Sequence, residues 1–163
     1  MAIRLHAMTA MASTLGGPLL DAVAALQVEA FARRYYDLFN ERRLDEAERF
    51  VHPQAVFTYP SAREHFIGRA GYRELTRRWI EAFPDAHLSI TRVRVSGQHA
   101  AETEWLGEGT HLGTIELPGL PVIPPTGVHA RLPMRETIRL EGGLIVESRM
   151  EYDPAELRRA LGL

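Results

Sequence analysis

The chain has 163 residues, 45% of them hydrophobic and 25% charged, with a formal net charge of −2. That length suits one domain with a full core, and scattered arginines on a near-neutral chain give no basic stripe for nucleic acid. Cysteine is absent, which excludes disulfides, zinc–thiolate sites and a thiol nucleophile, and no apolar run reaches the roughly 18 residues a membrane span needs.

Residues 1–20 hold one arginine, many small residues and Gly16-Gly17-Pro18, and their apolar stretch is broken by His6, Thr9, Ser13 and Thr14. They are expected to form a disordered leader rather than a signal peptide, with the domain proper at 21–163 and the protein in the cytoplasm. Asp21 can cap a helix running to about Arg42 or Arg43, whose Val28, Phe31, Tyr35 and Leu38 make one buried stripe. Residues 44–51 read as a short second helix stopped by His52-Pro53, and 55–59 as a short strand ended by Pro60. A third helix follows Gly68, with Tyr72, Leu75, Trp79 and Phe83 as its stripe and Pro84-Asp85 at its end.

Strands are predicted over 87–95 and 100–110, joined by a turn at Ser96-Gly97-Gln98. Pro118, Pro121, Pro124 and Pro125 force a long irregular loop over 113–127. Residues 131–140 and 144–152 then pair across Glu141-Gly142-Gly143. Asp153-Pro154-Ala155-Glu156 has the cap, first-position proline and third-position glutamate that start a helix. The order predicts an α+β domain: N-terminal helices packed on a curved antiparallel sheet of four strands, forming a cone-shaped barrel with an interior pocket.

Parity along the strands nominates the pocket. In 132–140 apolar and polar residues alternate, so Leu132, Met134, Ile138 and Leu140 face inward and Arg135, Thr137 and Arg139 outward. Glu136 breaks the pattern by falling on the inward side. A buried carboxylate is costly unless paired, hydrogen-bonded or protonated, and its raised pKa suits it to proton transfer near neutral pH. On 100–110 the row Ala101, Thr103, Trp105, Gly107 and Gly109 faces in, continued by His111, while Glu102, Glu104 and Glu108 face water. On the last strand Val146, Ser148, Met150 and Tyr152 face in.

The expected cavity is therefore lined by Trp105, Met134, Ile138, Met150, Phe57 and Trp79, with Glu136, His111, Tyr59 and Tyr152 as its acid, base or hydrogen-bonding members. Such a pocket suits a hydrophobic small-molecule substrate. The remaining histidines lack the spacing of metal ligands, and the chain has no phosphate loop, nucleophile elbow or HExxH. Neither metal nor cofactor is expected.

Four stretches carry a family resemblance: Tyr36-Asp37-Leu38-Phe39-Asn40 with Leu44-Asp45-Glu46-Ala47 and His52-Pro53; Ala82-Phe83-Pro84-Asp85; Gly109-Thr110-His111-Leu112-Gly113 with Pro124-Pro125-Thr126-Gly127; and Gly143-Leu144-Ile145-Val146-Glu147 running into Tyr152-Asp153 and Leu161-Gly162. In this order they resemble the SnoaL-like polyketide cyclase family of the nuclear transport factor 2-like superfamily. The resemblance implies an α+β cone, cofactor-free aldol cyclisation of a polyketide ester and one acid/base residue. The family's catalytic aspartate matches Met150 here, and its pocket histidine matches Glu136. The acid/base function is then either lost or moved one strand across to Glu136. Relatives also open epoxides, isomerise steroids and close ether rings. A cyclase of natural-product biosynthesis is the leading expectation; an epoxide-opening enzyme, an isomerase or a non-catalytic binder of hydrophobic ligands are the alternatives. A homodimer is expected, through an exposed sheet face bearing Arg135, Thr137, Arg139, Glu147 and Glu151.

Overall fold

A computed structural model describes residues 3–59, 65–117 and 120–163. The chain begins with helix α1 (Ile3–Asn40), followed by a short α2 (Leu44–Ala47) and a 3-10 turn (Glu48–Phe50). Strands β1 (Val51–Thr58) and β2 (Phe66–Ile67) lead into α3 (Gly68–Ala82). Four long strands come next, β3 (His87–Ser96), β4 (Ala100–Thr110), β5 (His129–Glu141) and β6 (Leu144–Glu151), and α4 (Pro154–Ala160) closes the chain.

The strands form one curved sheet in the order β2-β1-β6-β5-β4-β3. All neighbours are antiparallel except β1 and β6, which run parallel. The sheet is mixed, has six strands and stays open at β2 and β3, so the predicted four-strand antiparallel meander is only its C-terminal part and the cone does not close into a barrel. His52 and Pro53 do not stop a helix; they lie inside β1, where the pairing to β6 skips from Val51 to Val56. A proline without a ladder N–H is tolerated at such an interruption. The same rule places Pro133 in β5, outside the stretch that pairs with β6, which begins at Arg135.

Helix α1 does not start at Asp21. It runs back through the stretch expected to be a disordered leader, where Ala, Leu and Met, good helix formers, are common. Asp21 accepts a hydrogen bond from Gln98 Nε2 at 2.6 Å instead of capping. Further along, Val28, Ala32, Tyr35, Tyr36, Leu38 and Phe39 are buried against the sheet. Phe31 is only half-buried, with its ring 4.9 Å from that of Phe50. Helix α3 buries Tyr72, Leu75 and Thr76. It starts at Gly68, whose φ of +63° and closeness to the Pro53 carbonyl (2.2 Å for an added Cβ) admit no side chain. Asp153 caps α4 by accepting from the Ala155 N–H at 2.8 Å.

The inward rows of β4 and β5 fall as their alternation predicts: Ala101, Thr103, Trp105, Leu132, Met134, Glu136, Ile138 and Leu140 are all buried. On β6 the row is offset. Arg139 pairs with Glu147 and Leu140 with Ile145, so Val146 is the extra residue of a bulge. Ile145 therefore takes the buried position expected for Val146, and Ser148 remains inside.

Candidate active site

Between α1, α3 and the concave face of the sheet lies a cavity of about 90 Å³. That is several times the ~10–15 Å³ one water needs, so it has room for a compact organic ligand. Its walls are aromatic and aliphatic, from Tyr35, Tyr36 and Phe39 of α1, Tyr72, Leu75 and Trp79 of α3, and Trp105, Leu132, Met134 and Met150 of the sheet. The lining includes Ala130 as well as Glu136. They are six positions apart along β5, roughly 20 Å at ~3.4 Å per residue. Glu136 is at one end of this span, and partly exposed Gly107 and Glu108 lie toward the other.

Glu136 is 2% exposed. Its Oε2 accepts a hydrogen bond from the Tyr36 hydroxyl at 2.7 Å, and its Oε1 one from the Ser148 hydroxyl at 2.5 Å. Burial pushes the Glu136 pKa up, while the Ser148 and Tyr36 hydrogen bonds pull it back by favouring the ionised form. Among the described residues no arginine, lysine or histidine lines the cavity. Burial, followed by the nearby Glu136 charge, also raises the pKa values of Tyr35, Tyr36 and Tyr72. The Thr103 hydroxyl and Trp105 indole N–H are buried and make no well-formed hydrogen bond, yet both lie close enough to Tyr36 to favour its phenolate slightly.

Of the residues nominated from sequence, Glu136, Trp105, Met134, Met150 and Trp79 line the cavity, and Met150 sits directly across from Glu136 in the β5–β6 ladder. His111, Tyr59, Tyr152, Phe57 and Ile138 do not line it. Ile138 and Phe57 are core residues, Phe57 lying against the Tyr72 ring at 6.0 Å. Tyr59 accepts from the Trp79 indole N–H at 3.1 Å, and Tyr152 lies edge-on to Tyr59 and Trp79. His111 lies past the end of β4, buried beside the Phe83 ring. Its Nδ1 accepts from the Thr126 N–H at 3.2 Å, which makes it the neutral Nε2–H tautomer fastening the 111–128 loop. Burial pulls its pKa down, opposed by a backbone contact to Gly113.

Two polar groups on Glu136 carried a weaker signal in the sequence. Ser148 belongs to the inward row but has no catalytic signature of its own. Tyr36 sits one residue off the Tyr35 stripe, and only the width of the buried helix face brings it inside.

Residues 32–148 match the SnoaL-like domain, and the chain belongs to that family. None of the curated proteins matches it. Among solved structures it is similar to IdmH from Streptomyces antibioticus, a proposed polyketide cyclase, at 26% identity over 83% of this chain and 98% of that one, TM-score 0.66. A proposed polyketide cyclase from Xanthomonas campestris pv. campestris is 18% identical over 85% and 98% of the two chains, TM-score 0.70. SalBIII, an epoxide hydrolase/cyclase-like enzyme with a role in pyran ring formation in the polyether salinomycin, is 15% identical over 80% and 94%, TM-score 0.66. The two more distant likenesses show the fold alone. Among the described residues no helix is long and apolar enough to cross a membrane.

Proposed function

We propose that this protein is a cyclase of polyketide-like natural products, closing a ring by general acid/base catalysis at Glu136 with no cofactor needed for the proton transfers. The observation that carries the reading is a carboxyl group buried in an apolar cavity with two hydroxyl partners and, among the described residues, no cation in the lining. A protein that only bound hydrophobic ligands would gain nothing from such a group, because burying a carboxylate without a cation is costly. The family and IdmH, a proposed polyketide cyclase, support the same reading.

In this reading the neutral carboxyl gives a proton to a substrate oxygen, a carbonyl or an epoxide, as a new bond forms at the attached carbon and the C=O π bond or the epoxide C–O bond breaks. The carboxylate left behind recovers a proton from the attacking hydroxyl or carbon acid, so the product is an isomer of the substrate and the enzyme is restored. General acid/base help of this kind is worth about 10²–10⁴-fold in rate. The test is Glu136→Gln, assayed on a panel of polyketide-like and epoxide substrates and on exchange of the α-hydrogens of 2-tetralone with D₂O. Turnover and exchange should fall together while 2-tetralone still binds. Undiminished exchange in the variant would remove Glu136 from the chemistry.

A further inference from the structure

The inner end of the cavity has more polar groups than one carboxyl requires. Tyr36, Glu136 and Ser148 are 2%, 2% and 3% exposed, and Thr103 stands opposite Glu136 in the β4–β5 ladder. When Glu136 is ionised, both hydroxyls donate to it. When it is neutral it has one hydrogen of its own. With Ser148 kept as donor to Oε1, that hydrogen sits on Oε2, facing the Tyr36 oxygen 2.7 Å away. One O···O contact holds one hydrogen. The phenol hydrogen must then turn away from Glu136, and Tyr36 also lines the cavity. The Trp105 indole N–H can only donate, and the Thr103 hydroxyl has a hydrogen to give, so both favour the Tyr36 oxygen as an acceptor.

We propose that Tyr36 is the catalytic residue that meets the substrate oxygen, and that Glu136 acts through it. This rests on the acid/base reading of Glu136 and specifies how the proton travels. The Tyr36 hydrogen passes to the carbonyl or epoxide oxygen as that oxygen gains charge. The Glu136 hydrogen replaces it on the phenol oxygen, leaving the carboxylate held by the Tyr36 and Ser148 hydroxyls. Proton return from the attacking group reverses the sequence, so no hydrogen is gained or lost overall. Among the described residues the lining offers no cation as counter-ion to an anionic group, which favours an uncharged carbonyl or epoxide at this end.

The direction in which the Tyr36 hydroxyl points is set by Glu136 protonation, and that gives the test. Tyr35 and Tyr36 of α1, Tyr59 just past the end of β1 and Tyr72 of α3 feel the Glu136 charge, with Ser148 of β6 and Thr103 of β4 as neutral neighbours. Burial holds those phenols above their ordinary value, as it holds the Glu136 carboxyl above its own. The probe is 2-tetralone labelled with ¹³C at its carbonyl, observed by difference infrared spectroscopy. In the wild type the bound carbonyl band should lie at low frequency at acid pH and move back up as Glu136 ionises. In Glu136→Gln the amide N–H donates to the phenol oxygen, so the low band should persist at every pH. In Tyr36→Phe the band should not move at any pH, and α-hydrogen exchange should fall about 10²–10⁴-fold.

A low band retained in Tyr36→Phe, or a wild-type band that never shifts, overturns the relay. The wild-type titration stands even if Tyr36→Phe fails to fold. Exchange that depends on Glu136 but not on Tyr36 would end the relay and leave the acid/base reading intact. Exchange indifferent to Glu136 would end both.

Discussion

Ser148→Ala tests the electrostatics of the site. Ser148 is 3% exposed, and its hydroxyl donates to Glu136 Oε1 at 2.5 Å. While Glu136 is neutral, the substitution removes an ordinary buried hydrogen bond, worth about 0.5–1.5 kcal/mol. Once Glu136 ionises, the lost bond is charge-assisted and worth about 1.5–3 kcal/mol. Because this hydroxyl holds the Glu136 pKa down against burial, its removal moves that pKa further up, by one unit for every ~1.4 kcal/mol. The raised folded-state pKa means that the proton's contribution to stability is complete below the unfolded value of 4.5 and lost as pH rises through the folded value. Destabilisation by Ser148→Ala should therefore be small while Glu136 is protonated and grow to its full size once pH has risen through its folded-state pKa, there lowering Tm by roughly 3–12 °C. Urea unfolding followed by the fluorescence of Trp79 and Trp105 at a series of pH values measures it. An effect of equal size at both ends of the range would refute the coupling between hydroxyl and carboxylate.

Three further outcomes follow from the same structure. Glu136→Gln replaces a group whose burial opposes ionisation, so its Tm relative to wild type should rise with pH, crossing in the variant's favour as Glu136 ionises; calorimetry across pH checks it. For His111 the sign is opposite: its lowered pKa means stability present above the ordinary 6.5 and lost as pH falls through it toward the folded value. His111→Asn keeps an acceptor for the Thr126 N–H and should flatten that acid limb in thermal melts. Gly113→Ala would set a Cβ 2.0 Å from the Glu81 carbonyl oxygen, and backbone cannot move aside as a side chain can. It should cost about 1–3 kcal/mol, visible as a lowered urea midpoint.

What the sequence revealed depended on how local the determining physics was. The faces of β4 and β5 were legible because inward and outward residues keep a two-residue period from Glu102 to Trp105 and, Glu136 apart, from Leu132 to Leu140. Glu136 was legible for the same reason, as the one polar residue on an otherwise apolar row. The parallel contact of β1 with β6 was not, since it joins strands far apart in sequence and runs through a His-Pro pair that also stops helices. Val146 was misplaced because a bulge shifts parity without any marker residue. Tyr36 meets Glu136 across 100 positions, a contact that only the packing of α1 on the sheet creates. His111 shows the limit of extrapolating parity: beyond Thr110 the ladder stops, and the imidazole serves the loop rather than the cavity.

An open sheet has two edges, and each is handled differently. β2 is two residues long and offers almost nothing to pair with. β3 is ten residues long and would otherwise present a free ladder to any extended chain. Asn40, the last residue of α1, closes part of it: its side-chain amide donates to the Leu88 carbonyl at 2.9 Å and accepts from the Leu88 N–H at 2.8 Å. The pairing of β3 with β4 is irregular between Ile90 and Arg92, and the exposed guanidinium groups of Arg92 and Arg94 follow. A bracket, a kink and two charges in succession guard the long edge against strand-by-strand growth into fibrils. The cost of leaving the cone unclosed is thus met in colloidal behaviour, and the residue that starts this protection belongs to the same helix that carries Tyr36 to the carboxylate.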